Sequence, residues 1–237
     1  MQDFIISLFE PYNEYSKLQI ALEIIAVVLG IASVFFSMRR NILVFPTGII
    51  STSIYIYILF AFGLLGEGLI QVYYTIMSVY GWILWSDGKE DNAQVEVYWA
   101  EKREWLIGGI LFVICLFLIA GVYYLKPWIE NGFSMVDVQL NLNYLNWSNW
   151  LDIFVTAIFL IGMWFMAKRR VENWIFWIIG DLICIPIFIY NGLLLTSIQY
   201  FFFTILAVIG YHWVFAIVVP LSLSHKIGKA AHCARSR

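Results

Sequence analysis

Long apolar runs separated by short polar or basic connections constrain this chain more than any other feature. A helix needs roughly 20 apolar residues to cross a ~30 Å hydrocarbon core. Seven stretches meet or approach that length, at residues 18–38, 42–62, 68–86, 105–125, 150–167, 173–191 and 194–220. Lipid offers no partner for backbone N–H and C=O groups, so each stretch is expected to be α-helical. Composition supports this: 62% of residues are hydrophobic and 13% charged, where a soluble domain carries about 25% charge. The expected fold class is an all-α integral membrane protein with seven transmembrane helices embedded in a lipid bilayer.

The basic residues then orient the chain, because cytoplasmic loops carry an excess of Lys and Arg. In the seven-span arrangement Arg39, Arg40, Lys89, Lys102, Arg103, Lys168, Arg169, Arg170, Lys226, Lys229, Arg235 and Arg237 share one side, and only Lys17 and Lys126 fall on the other. A missed span would scramble that division. The N-terminus is therefore expected outside and the C-terminus in the cytoplasm. Residues 1–15 lack the basic stretch of a cleavable signal peptide, so the first span is expected to direct insertion. Trp82, Trp85, Trp99, Trp105, Trp128, Trp147 and Trp150 crowd the span ends, most of them expected as interfacial anchors.

The sequence also repeats. Ala21-Leu22-Glu23-Ile24 resembles Trp150-Leu151-Asp152-Ile153, and Arg39-Arg40 resembles Lys168-Arg169. Asn41 is matched with Asn173, Gly48 with Gly180, Ile70-Gln71 with Ile198-Gln199, Thr75 with Thr204 and Gly81 with Gly210. Two three-helix units joined by one helix give a 3+1+3 layout. Three crossings lie between helices one and five, so the copies run parallel, as in SWEET sugar transporters. The expected segments are an extracytoplasmic stretch at 1–17, a first repeat at 18–86, a linker with helix four at 87–149, a second repeat at 150–220 and a cytoplasmic tail at 221–237.

Helix six carries the most chemistry. Asn173, Trp174, Trp177, Gly180 and Asp181 fall on one helical face, while Ile175, Ile178, Ile179 and Leu182 cover the rest. A polar stripe on an apolar helix is expected to face the protein interior. A carboxylate two turns inside a membrane helix is costly, and marks either a functional group or a hydrogen bond to a neighbouring helix. Thr196 and Gln199 on helix seven add a second polar face, and Gln71 on helix three is read as the repeat mate of Gln199. In the first repeat Asn41, Phe45 and Ile49 are matched with Asn173, Trp177 and Asp181. Amide and ring are kept there while the carboxylate is lost. Pro46 and Pro186 are expected to interrupt helices two and six, either as static kinks or as bends that let one repeat rock. These residues together suggest a site for a flat ligand held between aromatic rings.

Asn173-Trp174-Ile175-Phe176-Trp177, Gly180-Asp181, Ile185-Pro186, Gly192-Leu193, Thr196-Ser197, Gln199-Tyr200 and Gly210-Tyr211 strongly resemble the PnuC family of nicotinamide riboside transporters. The motif covers about forty residues, and its NWxxW stretch falls on Asn173, Trp174 and Trp177. The resemblance implies a homotrimer of SWEET-like protomers that carries nicotinamide riboside by facilitated diffusion for NAD synthesis, with a cytoplasmic riboside kinase trapping the product. Sister transporters in this fold take thiamine, riboflavin or deoxynucleosides, which remain alternative substrates. The chemistry agrees: indole faces attract a pyridinium cation, and ribose hydroxyls suit Asn, Gln and carboxylate partners.

Other classes fit less well. Helix seven has no lysine for a retinal Schiff base. His212 is the sole histidine in the spans, without the partner base or metal set that an intramembrane hydrolase needs. The cysteines Cys115, Cys184 and Cys233 are scattered, so neither metal nor cofactor is expected. No basic tract interleaved with aromatics suggests nucleic acid. A non-transporting sensor or scaffold has no evident reason to keep the polar stripe. The charged connection Ser86–Glu104 is read as a solvated linker, with docking of a cytoplasmic kinase as the alternative.

Overall fold

A computed structural model describes residues 16–61, 65–86, 95–136, 138–190 and 194–235, with side chains described except at 65–67, 130, 194–196 and 220–235. Residues 1–15, Lys89, Gly192-Leu193 and Arg237, and the side chains of Thr196, Lys226, Lys229, Cys233 and Arg235, lie outside the described residues.

Seven α-helices are present among the described residues: α1 Lys17–Met38, α2 Val44–Ala61, α3 Leu65–Ser86, α4 Lys102–Glu130, α5 Trp147–Ala167, α6 Asn173–Tyr190 and α7 Leu194–Arg235. The protein is thus an all-α, seven-helix membrane protein. Six of the helices have an 18-residue window long and apolar enough to span a bilayer; α3 is not among them. Gln71, Tyr73, Tyr74, Thr75, Ser78 and Gly81 dilute its apolar content.

Local chemistry sets the ends. Ser16 starts α1 with a reciprocal cap, its hydroxyl accepting from Gln19 N at 3.2 Å while the Gln19 side chain accepts from Ser16 N at 2.8 Å. Asn146 and Asn149 do the same for α5. Pro46 does not interrupt α2. It is the third residue of that helix, in the turn whose N–H groups have no intrahelical acceptor, so its missing donor costs nothing. Pro186 lies inside α6, which continues to Tyr190.

The chain divides into two compact units, one through Val95 and one from Glu96 onward. In the first, α2 packs on α1 and α3. Ser51 donates to Ala26 O at 2.7 Å, Ser33 to Val44 O at 2.8 Å, and Thr52 and Thr75 share a 2.7 Å hydrogen bond. In the second, α5 packs on α4 and α6, and α6 on α7. Half of the α5 span is buried, against 6% of α4, so α5 is the core of this unit.

The turns after α1 and α5 have one geometry. Arg40 (φ 54°) and Arg169 (φ 61°) both take the left-handed conformation that closes a helix C-terminus. Asn41 N donates to Phe36 O and Arg170 N to Phe165 O, each at 2.9 Å. Thr75 donates to Gln71 O, and Thr204 to Tyr200 O, each at 2.9 Å. Every one of these correspondences has a spacing of 129 residues. That spacing pairs Asn41 with Arg170 rather than Asn173, Phe45 with Trp174 rather than Trp177, and Gln71 with Tyr200 rather than Gln199. Side-chain likeness between the two Asn and the two Gln residues suggested other registers, but the backbone sets this one.

Candidate functional site

The second unit gathers the chemistry. Two turns of α6 bury the expected stripe: Asn173, Trp174, Gly180 and Asp181 are buried, with Trp177 half-buried between them. Ile179 and Leu182 on the opposite side are exposed, where lipid would meet them.

Glycines make the close packing possible. A Cβ at Gly180 would overlap the Phe159 ring of α5, and one at Gly210 would overlap the Trp174 indole. With those positions open, Phe159 stacks on Trp177 at 5.4 Å (28° between planes) and on Tyr200 at 6.4 Å (25°). Tyr200 in turn stacks on Phe188 at 5.0 Å (23°). A ladder of four rings, Trp177–Phe159–Tyr200–Phe188, therefore joins α5, α6 and α7. Val155, Cys184 and Ile187 form the apolar floor against which Phe159, Phe188 and Tyr200 pack. Cys184 lies against Tyr200 in this cluster, and Asp181 and Asp152 lie near both. Asp152 accepts from the Tyr123 hydroxyl. Asp181 makes no hydrogen bond to any described residue.

The other candidates are placed as follows. Gln199 is exposed on α7, while its neighbour Tyr200 turns inward. Thr196 lies in the first turn of α7. In the first unit Asn41 uses its amide oxygen to accept from Leu43 N at 2.9 Å, closing the turn before α2. Phe45 is fully buried, with its ring at the edge of Trp85 (5.0 Å, 88°) and over Gly81. Gln71 is half-buried on α3. Among the described residues no group of His, Cys, Asp or Glu could hold a metal ion.

The sequence gives no sign of Phe159 and places Tyr200 only within the Gln199-Tyr200 motif. Phe159 sits in an almost wholly apolar helix where one more phenylalanine carries no signal. Tyr200 was findable, since it lies one turn before Thr204 as Gln71 does before Thr75.

The N-terminus of α6 is held by a strap. Tyr98 N donates to Arg169 O and Val171 N to Tyr98 O, each at 3.0 Å. The Glu172 carboxylate accepts from Ala100 N through both oxygens, at 2.8 and 3.0 Å. Arg170 pairs with Glu104 at 2.8 Å and its guanidinium donates to Trp99 O at 3.4 Å. Burial holds the Glu172 carboxyl above the ordinary carboxylate range, against the lowering effect of the Ala100 hydrogen bond and Arg170.

Comparison with known proteins gives consistent matches. A family model described as "Nicotinamide mononucleotide transporter" matches residues 20–214. Nicotinamide riboside transporter PnuC of Escherichia coli is 23% identical over 198 residues, covering 80% of this chain and 82% of its own. Riboflavin/roseoflavin transporter RibM of Streptomyces davaonensis is 21% identical over 188 residues, covering 77% and 79%. The crystal structure of the vitamin B3 transporter PnuC has the same fold, with a TM-score of 0.60 over 91% of this chain and 87% of that one at 21% identity.

Proposed function

From the membership of this chain in the PnuC transporter family, we propose that it carries nicotinamide riboside across the inner membrane by facilitated diffusion. A transporter family and a buried polar face on α6 make this a transport protein rather than an enzyme. The observation that carries the substrate reading is the ladder Trp177–Phe159–Tyr200–Phe188 beside Asp181. Ring faces stacked in that way suit a flat cationic pyridinium, at about 0.5–2 kcal/mol per well-placed cation–π contact. Asn173, on the same face of α6, is suited to ribose hydroxyls. Thr196, Gln199, Gln71, Asn41 and Phe45 are the lesser members of the proposed site.

The same reading takes the chain as a 3+1+3 parallel repeat, N-terminus outside and C-terminus cytoplasmic, working as a homotrimer. Phosphorylation by a cytoplasmic riboside kinase would keep the product inside. The 129-residue recurrence of the turns and the distribution of basic residues support the first two elements.

Uptake of labelled riboside into proteoliposomes tests the proposal. Entry should equilibrate without a gradient and be unchanged by imposed proton or sodium gradients. Accumulation above the outside concentration on imposing either gradient would rule out facilitated diffusion. Riboflavin is the second reading, favoured by the RibM relative and by stacked rings that also fit an isoalloxazine. Competition decides: excess riboflavin should leave riboside uptake untouched.

A further inference from the structure

We propose that Asp181 is the charge-selecting residue of the α6 site, so that the site takes a flat ring carrying a permanent positive charge and rejects its neutral isostere. This rests on the reading of the α6 face as the substrate site, and it assigns the carboxylate a role beyond accepting from ribose.

Three observations support the proposal. Asp181 is 5% exposed and no described residue donates a hydrogen bond to it, while a carboxylate taken out of water is costly unless paired. The other carboxylate within α5–α7, Asp152, is already engaged by Tyr123, over whose ring Lys126 lies at 5.7 Å. No Lys or Arg occurs in α5 or α6, and none in α7 before residue 220. Ring faces carry negative quadrupole density, and the rings beside Asp181 are those of Trp177, Phe159 and Tyr200. The interior therefore offers negative potential and no cation of its own. A pyridinium supplies the missing charge. A neutral ring of the same shape stacks equally well but leaves the carboxylate uncompensated.

The measurement is calorimetric binding of two ligands to purified protein: nicotinamide riboside, and its reduced dihydropyridine form, which keeps the shape and ribose but loses the ring charge. The wild-type protein is expected to prefer the cation by ~10-fold or more. Asp181→Asn, which keeps size and a hydrogen-bonding oxygen, should bring the two affinities together, while Asp181→Glu should keep the preference. Melting temperatures of both variants verify folding; if the Asn variant does not fold, the wild-type ratio and the Glu variant decide the matter. Equal wild-type affinity for the two forms overturns the proposal, as does a preference that survives in Asp181→Asn. Binding of neither form overturns the substrate reading itself, a result distinct from the loss of charge selection.

Discussion

At the scale of single residues, the site depends on what is missing at Gly180 as much as on what surrounds it. Phe159 occupies the space a Cβ would need, so Gly180→Ala must displace a ring that is stacked on both Trp177 and Tyr200. The expected result is a riboside affinity lower by about tenfold, with a stability loss of ~1–3 kcal/mol typical of overpacking. Gly109→Ala is the matched control. A Cβ there meets nothing, and alanine favours helix by about 1 kcal/mol over glycine, so melting temperature should hold or rise with binding unchanged. Calorimetry and thermal denaturation of the pair separate a site effect from a general glycine effect. The legibility of the site follows the same division. Asn173, Trp174, Trp177 and Asp181 could be read because polar groups at helical spacing stand out against isoleucine. Gln199 stands out in the sequence for its amide, but a side chain's polarity does not tell which way it points. On α7 the neighbouring Tyr200 faces the core.

At the scale of elements, the helices were visible from hydropathy because crossing a bilayer leaves little freedom in length. Their registers were not, because the likeness of the two Asn and the two Gln side chains points away from the 129-residue spacing of the two turns. The strap was hidden for a different reason. Residues 98–100 look like part of an ordinary charged connector, and only folding brings them against the α5–α6 turn, 71–73 residues further along the chain. Its consequence is a pH dependence. Because the folded pKa of Glu172 is raised by burial, the folded state favours the protonated carboxyl. The stability it contributes is complete below the ordinary carboxylate range and is lost as pH rises through the raised value. Melting temperature should therefore decline with pH across that window, and Glu172→Gln should flatten the decline. Arg170→Ala should cost more, about 1–3 kcal/mol, since it strands the carboxylates of both Glu104 and Glu172 near each other. A profile in Glu172→Gln identical to that of the wild type would remove Glu172 from this role.

At the scale of the whole molecule, charge placement separates the candidate substrates. None of the seven apolar stretches contains a Lys or Arg, and the second unit places Asp181 and Asp152 about its aromatic ladder. A phosphate entering there would lose its hydration and find carboxylates in place of a guanidinium, with nothing to offset the cost. The family model's description names the mononucleotide, whereas the charge pattern of this chain favours the riboside. These alternatives differ by one phosphate on an otherwise identical ligand, so the comparison isolates the electrostatic effect. Nicotinamide mononucleotide should bind at least ~100-fold more weakly than the riboside, the difference expected when a charged group is buried without a partner. It should also fail to compete for riboside uptake in proteoliposomes. Removing the phosphate enzymatically in the same vesicle suspension should restore competition. Comparable affinity for both ligands would mean that a cationic group outside the spans reaches the phosphate, and the basic turns Arg39-Arg40 and Lys168-Arg169-Arg170 would be the first to replace.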